Sequence, residues 1–506
     1  MMEGCGVVDI SRKQFLGMAA LGVAAAASRP TVAAAAKPAN ELKPARRTLI
    51  RQVDILSMDP ALGEILGGDV LLDKGRIAAV GKGLKASDAE IIDGRRRILM
   101  PGLIDGHRHL WEGMDNGVIA KITRTANDYT PYKYRTMVAY TPEDAWLAQY
   151  ASAIQAIDTG VTSLLDYCHI FHTPDLAEQA ARGILASGIG GTFCYQISHT
   201  PTYGPGDTVK YADADAMRNA APDAQHWKIA ALLREKVFTG DDGPMRFGLC
   251  PRAGLEGTPM AEVKAEYDRI RSFRPHLVAM HHGRRNKGPI DPAVFQEVEQ
   301  LGRAGLLGPD YHISHGNGMT DEELAMCRDT GTMICATTMG EHSYPQPSVH
   351  GRARKAGVAT GIGVDGALAF TQDYFQHVRG AFYNLFRTDE GKAIAQSYQG
   401  QDVLDFATRM GAQAIRAGDE TGSITVGKRA DLLLLRTDRI SFPIVGLLGD
   451  RVANFANQSD IDMVWTSGIV RKRDGKMVGV DMAQLKQRMN EASTRINAAG
   501  ATVKFV

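Results

Sequence analysis

Two hydrophobic patterns divide this chain. Over 48–100, short β-branched and apolar runs (Thr48–Leu56, Asp69–Leu72, Arg76–Val80, Glu90–Ile92) are broken every few positions by Gly and Asp. The same texture returns in Gly422–Leu432 and Met463–Val470, followed by the turn Lys472-Arg473-Asp474-Gly475-Lys476. Such runs predict strands, and two β segments bracketing a chain predict one small β-sandwich built from both terminal regions. Between them, apolar runs alternate with amphipathic stretches. Strands are predicted at Val161–Leu165, Gly191–Gln196, Met245–Cys250, His276–Met280, Tyr311–Ser314, Thr332–Thr338 and Thr360–Val364. Helices are predicted at Pro142–Thr159, Leu176–Ser187, Met260–Phe273 and Thr320–Arg328. Repeated β-then-α units imply a parallel sheet, and at this length an α/β fold closed as a (β/α)8 TIM-like barrel.

The expected organisation is 1–36 export signal, 37–47 linker, 48–100 first part of the sandwich, 101–417 barrel, 418–482 second part of the sandwich, and 483–506 C-terminal helix and tail. Ser11-Arg12-Lys13-Gln14-Phe15-Leu16 resembles a twin-arginine signal with Lys13 in place of the second arginine. An Ala/Gly/Leu stretch and the small residues Ala33–Ala36 follow. That route carries folded, cofactor-loaded proteins and implies a periplasmic product; the chain is cytoplasmic if the Arg-Lys signal is not used. Composition changes little: 44% hydrophobic, 23% charged and a formal net charge of +1 describe a globular chain with no nucleic-acid partner or polybasic membrane surface. No apolar run beyond the signal is long enough to span a bilayer. Six scattered cysteines without a Cys-x-x-Cys pair argue against a disulfide framework.

The chemistry concentrates in Leu99-Met-Pro-Gly-Leu-Ile-Asp-Gly-His-Arg-His-Leu110. Residues i and i+2 of a strand share a face, so His107 and His109 at the end of an apolar run make half of a metal site. Three more candidates stand at the ends of later predicted strands, where a barrel carries its chemistry: His281, His315 and Asp365. His282 competes with His281, because register read from sequence is uncertain by one residue. Mixed His/Asp ligation points first to zinc, with iron or manganese open.

Pro-Gly-Leu-Ile-Asp-x-His-x-His resembles the first metal motif of the amidohydrolase superfamily, in its cytosine deaminase and triazine (atrazine-type) hydrolase branch. Gly-Ser-Ile-x-x-Gly-Lys-x-Ala-Asp-Leu at 422–432 resembles that superfamily's C-terminal signature. The resemblance runs from about residue 48 to about residue 480. It implies one divalent ion held by His107, His109, His281 and Asp365, with His315 behind it or on the substrate. Binuclear relatives bridge two ions with a modified lysine on strand 4, and Met245–Pro251 has none. The implied reaction is hydrolysis of a non-peptide carbon–nitrogen bond of a small amide-like or heterocyclic substrate. Asp365 would act as base and His315 as donor to the developing charge.

One departure stands out. Ring deaminases of this branch carry Glu three residues after the strand-5 histidine, where this chain has Arg284, or Arg285 if His282 is the ligand. Guanidinium is no base at neutral pH. Glu341 is the candidate replacement, its alternative being an ordinary loop acid. Arg284 beside a metal would suit an anionic substrate, and Trp111, two residues past His109, is placed to line the pocket. Tyr167, His169, His172 and His342 are weaker candidates. The competing readings are a chlorohydrolase or ester/carbamate hydrolase on the same site, and a non-catalytic periplasmic binding protein on a degenerate barrel. A small molecule is the expected partner, and a homodimer is compatible with the sequence.

Overall fold

A computed structural model of the chain describes residues 47–119, 126–217, 220–255, 257–283 and 297–506. The export signal at 1–36, nearly all of the 37–47 linker, and Arg284 and Arg285 lie outside the described residues.

The strands begin with β1 (Thr48–Leu56), β2 (Glu64–Asp73), β3 (Arg76–Gly81), β4 (Glu90–Asp93) and β5 (Arg97–Pro101). There follow β6 (Leu103–Arg108), β7 (Val161–Cys168), β8 (Gly190–Gln196) and the short β9 (Thr208–Val209). Next come β10 (Met245–Cys250), β11 (Val278–Gly283), β12 (Tyr311–Asn317), β13 (Met333–Ala336) and β14 (Thr360–Ile362). The last are β15 (Leu432–Arg436), β16 (Ile461–Thr466), β17 (Ile469–Arg473), β18 (Lys476–Met477) and β19 (Lys504–Phe505).

Eight of them, in the order β6-β7-β8-β10-β11-β12-β13-β14, pair in parallel as the barrel wall. Helices cover this wall, as a parallel sheet buried on both faces requires. In the helix Pro142–Asp158, Thr141 and Asp144 close a capping box, and a run of buried small residues (Ala145, Ala148, Ala151, Ala156) lets it sit close to its neighbours.

The wall closes between β14 and β6 without a regular ladder. Ile362 N donates to Phe406 O and Ile104 N to Ala407 O, so the segment 406–407 fills the joint. The Tyr374 hydroxyl reaches the carbonyls of Ile104 and Ile362, both at 2.7 Å. Higher up, Asp365 N donates to His107 O (2.9 Å) and His109 N to Asp365 O (3.2 Å). Gly363 makes this approach possible: a Cβ there would stand 2.5 Å from His107 O. The Asp105 carboxylate accepts from Val364 N (3.1 Å) and His107 N (3.3 Å), tying the same two strands.

The strands from the two terminal regions form one nine-stranded sheet, β18-β17-β16-β15-β5-β1-β2-β3, with β4 beside β1. Its wings meet. Ile77 N donates to Lys428 O, Ala430 N to Gly75 O and Gly468 N to Ala430 O, although Gly75 and Gly468 belong to opposite ends of that order. Ile50, Val53, Leu72, Ile77, Leu434, Met463 and Trp465 share the core inside. Met463–Val470 is not one strand as predicted: the chain reverses at Ser467-Gly468, both with positive φ, which joins β16 to β17 as a hairpin. Gly422–Leu432 is largely irregular, its left-handed Gly422 and Gly427 breaking the run before β15.

Candidate metal centre

The five histidines and acids anticipated at the strand ends converge at the C-terminal mouth of the barrel. Nitrogen or oxygen atoms of His107, His281, His315 and Asp365 all lie within 4.8 Å of one another. His109 completes the group, its Nε2 3.4 Å from Asp365 Oδ1 and 3.3 Å from His281 Nε2. His107 Nε2 is 3.5 Å from the same Oδ1. His315 and Asp365 hold left-handed backbones, φ +78° and +69°. Non-glycine residues rarely adopt that conformation, and such strain gathers at functional sites.

Three of the rings are locked in one orientation. His109 Nδ1 faces the Tyr167 carbonyl (2.8 Å), an acceptor, so Nδ1 carries the proton. His315 Nδ1 faces Thr337 Oγ1 (3.0 Å) and Glu341 Oε1 (3.1 Å). His107 Nδ1 faces Ser314 Oγ (2.9 Å), which leaves its Nε2 on the side of Asp365 Oδ1. Each bond commits Nδ1 and turns Nε2 toward the shared centre, the arrangement by which supporting groups prepare histidine for a cation. Two nitrogens held about 2.0–2.1 Å from one tetrahedral ion stand about 3.3–3.4 Å apart, and the His281–His109 separation of 3.3 Å matches this. The donor set therefore fits one divalent ion.

The electrostatics agree. Burial would raise Asp365, but the charge of His315 and bonds from His107 and His109 outweigh it and hold the carboxylate well below its usual range. Burial drives His107 well below an ordinary histidine. On His109 burial acts in the same direction, yet the bond to Asp365 and the nearby Glu112 win and raise it.

His282 stands apart from the centre: its Nδ1 meets Glu297 Oε2 (2.6 Å) and its Nε2 the Tyr311 hydroxyl (2.8 Å). Both nitrogens are consumed. Replacing His281 with Asn is therefore expected to empty the centre, whereas His282→Ala keeps its metal and loses about 1–3 kcal/mol of stability. Elemental analysis and thermal unfolding of the two variants check this.

Glu341 ends the short helix Thr338–Glu341 after β13. Its Oε1 accepts from Thr337 N (2.7 Å) and faces His315 Nδ1, behind that ring. Burial raises Glu341, but His315 lowers it further, leaving its pKa below that of a free carboxyl. Trp111 stands beside the centre, two residues past His109. It is fully buried, its Nε1–H donating to His169 Nδ1 at 3.3 Å.

Sequence reasoning missed Glu112 and Tyr129. Glu112 lies fully buried in the 3-10 helix Leu110–Asp115, its Oε1 accepting from the Tyr129 hydroxyl at 2.9 Å. Burial pushes its carboxyl up to about 7. Its only advance signal is an acid inside the apolar run Leu110-Trp111-x-Gly-Met114. Tyr129 Oη is also 3.2 Å from His169 Nε2, and the His169 ring lies 4.3 Å from that of His109. Since Trp111 can only donate, neutral His169 accepts at Nδ1 and donates from Nε2 to Tyr129.

A model described as the amidohydrolase family matches residues 280–470. The 5'-deoxyadenosine deaminase of Methanosarcina barkeri is 22% identical over 466 residues, covering 89% of this chain and 99% of the relative. An adenosine deaminase from Xanthomonas campestris, solved with bound zinc, superposes with a TM-score of 0.74 at 20% identity, covering 89% of this chain and 98% of that one. A triazine hydrolase from Arthrobacter aurescens superposes at 0.72 and 18%, covering 89% and 100%.

Proposed function

We propose that the chain is a member of the amidohydrolase superfamily and a metal-dependent hydrolase of a carbon–nitrogen bond in a small nitrogen heterocycle, a reading supported by the family match over 280–470 and by the deaminase relatives. The observation that carries this is the set of imidazoles committed at Nδ1, with Nε2 turned to one point beside an ionised Asp365. His107, His109, His281 and Asp365 would hold one divalent ion, zinc in the first instance, which would supply acidity to a water near neutral pH and polarisation of the group attacked.

The chain's own residues divide the remaining work. Asp365, held ionised, accepts the proton of the attacking water. With Glu341 accepting from its Nδ1 on the far side, a His315 protonated at both nitrogens donates from Nε2 to the substrate atom on which charge develops. Glu341→Gln removes the anionic acceptor while leaving the shape, and is expected to lower kcat about 10²-fold with KM little changed. Steady-state kinetics check this, and an unchanged kcat would remove Glu341 from the mechanism.

A second reading, loss of chloride from a triazine-like ring, is favoured by one residue. Arg284 stands where ring deaminases of this branch carry a proton-shuttling Glu, and chloride leaves without protonation. Arg284 would then serve to bind an anionic group. The zinc-loaded protein incubated with an amino-purine nucleoside and with a chlorotriazine, reading ammonia against chloride, separates the two readings. Release of neither product would sink both. Periplasmic export belongs to the same proposal and is supported by Ser11–Leu16; cell fractionation tests it.

A further inference from the structure

The last helix, Met482–Gly500, buries Leu485, Met489, Ala492, Ile496 and Gly500 along one stripe. It packs against the two segments that follow His109, the 3-10 helix Leu110–Asp115 and the helix Ala126–Thr136. Asn497 Nδ2 donates to Asp115 Oδ1 at 2.9 Å, and the Ser493 hydroxyl donates to the same oxygen. At Gly500 the helices nearly touch: a Cβ there would stand 3.0 Å from Arg135 O.

Beyond the helix the chain continues as a strap. Thr502 Oγ1 accepts from Gly206 N (2.8 Å), and β19 pairs in parallel with β9. Lys504 N donates to Asp207 O, and Tyr211 N to Val506 O. The Phe505 ring packs between Tyr203 and Tyr211 and under the Arg135 guanidinium (5.2 Å). Tyr203 closes the circle, its hydroxyl donating to Tyr134 O at 2.9 Å.

The clasped helix Ala126–Thr136 is the one that carries Tyr129 to Glu112 and His169 beside the metal centre. We infer that the segment Met482–Val506 is a clasp that sets the active-site wall, with Phe505 a positioning residue acting through this helix on Tyr129 and His169, and Asn497 one acting through Asp115 on the 3-10 helix that carries Glu112. The inference deepens the hydrolase reading and rests on it for the substrate. A wall fixed this way acts on substrate binding, and sub-ångström displacements of positioning groups are costly.

Hydrogen exchange and kinetics on the full-length, zinc-loaded protein test it. Phe505→Ala is expected to speed amide exchange about tenfold over 126–136 and 203–211. It should also raise KM about tenfold with kcat within about twofold and zinc content unchanged. Phe505→Tyr restores both, and Asn497→Ala speeds exchange over 110–115, where its partner Asp115 lies. Unchanged exchange at 126–136 overturns the inference, and so does faster exchange with KM unmoved, which would make the tail a structural brace only. Wild-type turnover of the nucleoside or triazine is the control. Its absence sinks the hydrolase reading, and the exchange comparison then decides the clasp alone.

Discussion

Asp365→Asn is expected to reduce turnover about 10³- to 10⁴-fold while the protein remains folded. The amide keeps the size of the side chain and every backbone bond at the β6–β14 joint, because those bonds use Asp365 N and O rather than its carboxylate. What it loses is the anion. That anion stands 3.4–3.5 Å from the Nε2 atoms of His107 and His109 and is held ionised against burial by the histidines around it. An amide can neither take up a proton from water nor neutralise the cluster. The decisive measurement is kcat beside zinc stoichiometry and near-UV circular dichroism. A rate within about tenfold of wild type, with native dichroism, would mean that the proton goes elsewhere.

Chelation is the second large effect. Stripping zinc from the folded protein should abolish turnover, and one equivalent per chain should restore it, since the described residues gather one group of clustered donors. Stability should fall with activity: a ligand present at 100 times its Kd contributes about 2.7 kcal/mol. Acid should mimic the chelator. Metal and proton compete for the same imidazole nitrogens. Activity and bound zinc should therefore decline together below neutrality and return together on neutralisation. Turnover that survives exhaustive chelation would end the metal proposal.

The histidine pair at 107 and 109 was legible because strand alternation puts i and i+2 on one side. His281 against His282 was not. Adjacent residues of a strand face opposite sides, and only the partners Glu297 and Tyr311, brought in by other elements, show which ring is spent. The barrel could be read from its alternating elements, whereas the ends of β11 and β12 run further than predicted, through His281 and His315 themselves. Tyr129 and Glu112 escaped because the helix that joins them has a weak apolar pattern and a proline at 131. Its position comes from tertiary packing against the C-terminal segment, a cause that local sequence does not carry.

The joint that seats Asp365 has a cost during synthesis. Asp105 and Val364, which it ties together, are 259 positions apart. Until β14 has been made, β6 emerges with one edge unpaired, a ready template for another chain. Slow maturation and inclusion bodies at high expression are the expected signs, and cooler growth with added zinc the first remedy.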